Sequence, residues 1–170
     1  MFALLEGFCL LVRRVVSAVV ILLFAVMMAA VLVQVAGRYV FGYSIAQAAE
    51  IATYGQIWLV LLGAGVAVAR GQHVAIDMVP AALPKPLARV ALIAIALVVA
   101  AFLAVLGWGT LPLIKMGAFQ TSPALRIPMR DIYLCLPVGA AYMVLELLLS
   151  VIRRWDDPFP PPEVEAEEIA

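Results

Sequence analysis

From Val15 to Val33 the chain carries no side chain more polar than Ser17. Such a run has one stable home, a helix that satisfies its own backbone groups inside a bilayer core of about 30 Å. It is longer than the roughly 7–15 apolar residues of a secretory signal core, so a retained anchor is expected. Three further apolar runs behave alike. Together they predict an all-α integral membrane protein with four transmembrane helices over about residues 15–35, 47–69, 90–111 and 131–152, one membrane domain spanning 15–152. Composition agrees, with 66% hydrophobic and 13% charged residues, where a soluble domain is roughly half apolar and a quarter charged.

The remaining segments follow by subtraction. Residues 1–14 end in the pair Arg13–Arg14 and form either a short interfacial helix or an early start to the first span. Residues 70–89 and 112–130 are mixed polar loops, and the acidic, Pro-rich residues 153–170 are expected to be disordered. An even number of spans puts both termini on one side. That side would hold seven basic residues (Arg13, Arg14, Arg70, Lys85, Arg89, Arg153, Arg154) and the other four (Arg38, Lys115, Arg126, Arg130). The positive-inside bias therefore sets both termini in the cytoplasm.

Several function classes have no support. The 11 basic residues are balanced by 11 acids and scattered, so no nucleic-acid face forms. Cys9 and Cys135 would lie near opposite faces of the bilayer and read as small apolar fillers without a metal or redox motif. There is no Ser/His/Asp set, phosphate loop or zinc motif, so neither an enzyme nor a bound cofactor is expected in this chain.

The polar residues that remain sit near helix ends. Gln34 and Arg38 are one turn apart at the exit of the first span, followed by Tyr39, Phe41 and Tyr43, amphipathic rings suited to headgroup depth. Glu50 opens the second span, where a helix N-terminus favours negative charge, and a pair with Arg38 would fasten the first two spans. Gly55, Gly63 and Ala67 approximate a small-residue stripe for close helix approach. His73 and Asp77, four apart in the first polar loop, are loop polarity or a partner contact, since two residues make no metal site. Glu146 is the costliest residue. An acid at helix centre costs about 2.5–3.5 kcal/mol on insertion scales. It is either a coupling carboxylate or a polar contact to a neighbouring helix. A stand-alone transporter needs polar groups near the midplane, and these spans are nearly bare of them. The pattern suits a scaffold or accessory subunit that is recognised at its two membrane interfaces.

Five motifs and one acid carry a family resemblance. The stretch Gln34-Val-Ala-Gly-Arg38-Tyr-Val-Phe41 resembles the end of the first helix in the small, DctQ-like membrane subunit of tripartite ATP-independent periplasmic (TRAP) transporters. Glu50 resembles the second acid of that family's W-A-E-E stretch, and Trp58-Leu-Val-Leu-Leu-Gly63 its second-helix core. Gly71-Gln-His73-Val-Ala-Ile-Asp77 resembles its G-x-H-I-x-x-D loop. Ser122-Pro-Ala-Leu125-Arg-Ile127-Pro128 and Tyr133-Leu-Cys-Leu-Pro137-Val-Gly139 resemble two further signatures, S-x-A-L-x-I-P and Y-x-x-L-P-x-G. Ala49, Gln47 and Arg130 depart from the common pattern, which leaves Glu50 without the neighbouring acid.

The resemblance implies a small permease subunit of the bacterial inner membrane. Its partners would be a large elevator-type subunit, where sodium coupling would reside, and a periplasmic binding protein that delivers organic acids. Gln34, Arg38, Tyr39, Glu50, Trp58, His73, Asp77, Pro128 and Glu146 would then be partner-facing or structural residues. Two other classes compete. A small four-helix exporter would use a Glu in its first span, which this chain lacks; a thiol-oxidising enzyme would need periplasmic cysteine pairs, and only Cys135 is near that face.

Overall fold

The computed structural model describes residues 2–70 and 84–155. Helix α1 (Phe2–Tyr39) runs for 38 residues without a break through Arg13 and Arg14, about 57 Å at 1.5 Å per residue. It is followed by α2 (Ala46–Ala69), α3 (Lys85–Gly117), the single turn-and-a-half α4 (Met129–Tyr133) and α5 (Cys135–Arg153). Among the described residues the protein is all-helical, with four stretches long and apolar enough to cross a membrane: Cys9–Tyr39, Ala46–Ala69, Lys85–Gly117 and Met129–Arg153.

Prolines set several boundaries. Pro84 caps α3 in an extended conformation and Pro86 sits in the first turn, where a missing N–H costs nothing, so the helix starts at Lys85 rather than at Val90. Pro112 does not end α3, which continues to Gly117; the proline leaves the Trp108 carbonyl without its helical donor and nothing more. Pro137 has a larger effect. Its ring crowds the carbonyl four residues earlier, that of Tyr133, and the helix breaks there into α4 and α5 at Leu134.

The helices form an open row. α2 packs between α1 and α5, and α3 packs on the far side of α5, with α4 tucked against α3. Among the described elements α1 and α3 do not approach each other, so the row does not close into a bundle. Burial follows this order: 6% of the most apolar window of α1 is buried and 11% of that of α3, against 28% for Met129–Arg153. The outer helices therefore offer most of their surface to lipid or to another protein.

The tightest seam joins α2 and α5. A methyl on Gly65 would overlap the ring of Tyr142, and one on Gly139 would lie 2.8 Å from the Leu61 Cβ. The stripe expected at Gly55, Gly63 and Ala67 is not this seam. Gly55 faces α1, with Met27 Cβ 3.9 Å from an added methyl, and Gly63 faces open space. The stripe was off by the two-residue offset between Gly63 and Gly65, which on a helix is more than half a turn.

Candidate functional site

Two polar clamps hold this row together, one near each end. At the start of α2, Glu50 accepts backbone N–H bonds from Ala124 and Leu125, both at 2.9 Å. The loop that presents them is folded on itself. Ser122 N–H donates to the Ile127 carbonyl at 2.9 Å, Arg126 N–H to the Ser122 carbonyl at 3.1 Å, and Met129 N–H to the Gln120 carbonyl at 2.9 Å. Ile127 N–H also donates to the Ser122 hydroxyl at 3.3 Å. Arg126 adopts a left-handed φ of 55°, which reverses the chain there. Two successive N–H groups then converge on one carboxylate, an arrangement suited to anions. Pro128, exposed, pairs with Thr121 as an isolated bridge and caps α4. Gly117 permits the return, since a methyl there would sit 2.7 Å from the Arg130 nitrogen. The Ser122–Pro128 motif is thus a turn built to be gripped by Glu50.

At the other end of α2, Arg13 of α1 reaches Glu146 of α5. Its Nε donates to both carboxylate oxygens, at 2.9 and 3.1 Å, and its Nη2 donates to Oε2. The Glu146 side chain is 1% exposed and that of Arg13 19%. A forked, bidentate contact of this kind offsets part of the cost of an acid among apolar helices. One turn before Glu146, Tyr142 is buried and its hydroxyl has no hydrogen-bond partner among the described residues. An orphaned hydroxyl of this kind costs about 1–3 kcal/mol.

The exit of α1 is arranged differently from the expectation. Arg38 does not pair with Glu50; it lies over the Tyr39 ring, 5.9 Å from its centroid, and both are exposed. Glu50 is occupied by the loop amides, and Arg38 has no carboxylate partner among the described residues. Gln34 is half-buried, as is Trp58 on α2. Tyr39, Val40 and Phe41 are 78%, 73% and 67% exposed, an aromatic-rich rim with Phe41 and Tyr43 ring centroids 6.1 Å apart. Gly42 (φ 72°) turns the chain, and Ile45 closes on Gly37, 3.1 Å from where a methyl would sit. His73 and Asp77 lie outside the described residues, as does the tail from residue 156 onward.

Arg13 is the functional side chain that sequence reasoning missed. A first span that starts at residue 15 excludes it, and the sequence carries only a faint trace of the pairing: α1 contains no other cation between Phe2 and Arg38 save the adjacent Arg14. Glu50 and Glu146 are spent on internal contacts, and among the described residues no three His, Cys, Asp or Glu side chains converge as metal ligands.

A family model described as the DctQ component of tripartite ATP-independent periplasmic transporters matches residues 27–157. The matched region holds α2 to α5 and the Glu50 clamp, and it stops short of Arg13. No curated protein matches the chain.

Proposed function

Because the chain belongs to the DctQ component family of tripartite ATP-independent periplasmic transporters, we propose that it is the small scaffold subunit of such a transporter. In this reading it sits in the bacterial inner membrane with both termini in the cytoplasm. It braces a large elevator-type subunit that carries the sodium coupling and takes up organic acids handed over by a periplasmic binding protein. The observation that carries the reading is the open row of helices, whose outer members α1 and α3 are almost wholly uncovered. A row anchored in lipid along its whole width resists tilting while a partner's moving part crosses the bilayer. Glu50 and Glu146 are both taken up by partners within the chain, which fits a brace better than a conduit.

The partner would be gripped at the rim formed by Arg38, Tyr39 and Phe41, with Gln34, Trp58, Pro128 and the loop residues His73 and Asp77 as further contacts. Arg38 has the chemistry of a free interfacial cation on the less basic side of the membrane. Replacing it, Arg38→Ala, should lower recovery of the large subunit in affinity purification by several-fold while leaving this chain's own expression unchanged. Undiminished recovery together with normal uptake would falsify the assignment of that rim.

A further inference from the structure

We propose that the cleft between α1 and α2, at the end where Arg13 and Arg14 lie, binds the phosphate headgroup of an anionic phospholipid. The cleft encloses about 400 Å³ and is lined by Arg14, Ser17 and Ile21 of α1, by Val66 and Arg70 at the end of α2, and by Tyr142. Along α1 the lining runs from Leu10 through Arg13 and Arg14 to Ser17, Ala18 and Ile21. Inward of the arginines it turns apolar, which suits a headgroup carrying acyl chains better than a free anion.

Charge points the same way. A smaller cavity of about 160 Å³ adjoins the first through Arg13 and Arg70 and adds Ser150, Arg153 and Arg154. Of these five arginines only Arg13 has a carboxylate partner among the described residues. Basic pockets between transmembrane helices are suited to acidic headgroups. Tyr142, 7% exposed, closes one wall of the cleft with its ring, and its own hydroxyl is enclosed among the helices. Arg13 stays with Glu146 and fixes the wall, while Arg14 and Arg70 supply the charge. The proposal does not depend on the transport role.

The full chain in detergent would be titrated with phosphatidylglycerol, phosphatidylcholine and inorganic phosphate, with binding read by native mass spectrometry and by thermal shift. Phosphatidylglycerol should be retained and raise the melting temperature; the other two should do neither. The double variant Arg14→Gln/Arg70→Gln should weaken phosphatidylglycerol binding by roughly tenfold or more. Arg130→Gln, at the opposite end of the row, should leave it unchanged. Ala18→Trp, which fills the cleft and keeps every charge, should abolish retention, and it decides the matter if the arginine variant does not fold. Equal binding of phosphatidylcholine, protection by inorganic phosphate alone, or retention unaffected by Ala18→Trp would overturn the proposal. So would variants that lose a co-purifying protein while keeping the lipid, which would make the cleft a protein interface.

Discussion

Arg13 and Glu146 form an ion pair between two helices whose backbones do not approach each other. Removing one partner from a buried pair leaves an uncompensated charge, at a cost of about 3–5 kcal/mol for a fully buried site. Glu146 is the more enclosed of the two, so Arg13→Ala should destabilise more than Glu146→Gln. The double variant Arg13→Ala/Glu146→Gln should lose less than the sum of the two single variants. Unfolding of the four proteins in detergent checks this as a double-mutant cycle, and additive effects would show that the pair is not coupled. Glu50 offers a second test. Glu50→Ala strips the acceptor from two loop N–H groups, each loss worth about 1–3 kcal/mol if the amides stay buried. Amide exchange at Ala124 and Leu125 should accelerate by an order of magnitude or more, while exchange in α3 is unchanged. The oddity of both acids was legible in the sequence. Their partners were not, for two physical reasons. Arg13 is 133 residues from Glu146, and the partners of Glu50 are backbone amides, which every loop possesses and no residue type announces.

Among the elements, α2 and α5 are the two packed on both sides, α2 between α1 and α5 and α5 between α2 and α3. Their seam depends on glycines that let a ring and a backbone approach without a methyl between them. Gly65→Ala should therefore cost about 1–3 kcal/mol, the usual range for overpacking, whereas Gly63→Ala, facing open space, should be near neutral. Thermal unfolding of the two variants side by side distinguishes them; equal effects would mean that the seam does not hold α2 to α5. Four long helices were legible because periods of apolar residues longer than a bilayer crossing admit little else. Their ends were less so. Pro112 lies inside α3 and Pro137 divides α4 from α5, yet as sequence signals the two prolines are alike. What separates them is the surroundings. Pro112 only orphans the Trp108 carbonyl, while the break at Leu134 lies where α4 must also pack against Gly117 and the gripped loop.

At the scale of the molecule, an open row of four helices with little interior is an unusual thing for a membrane protein to be on its own. Packing between helices in lipid comes from close van der Waals contact and buried polar bonds rather than from hydrophobic exclusion. Here those are concentrated on one seam and two clamps, and the outer faces of α1 and α3 are left free. That distribution is what a bracing subunit needs: stiffness inside, and wide apolar flanks for lipid or a partner. Of the motifs that pointed to this family, Glu50, the Ser122–Pro128 turn and the break at Leu134 fall on the stiffening parts, whereas Gln34–Phe41 ends in the exposed rim. The account can be tested most directly by uptake into proteoliposomes, with the large subunit and binding protein of the same system reconstituted with and without this chain, and with this chain alone. Uptake should require all three proteins, and this chain alone should carry nothing. Uptake by this chain alone, or full uptake in its absence, would contradict the account.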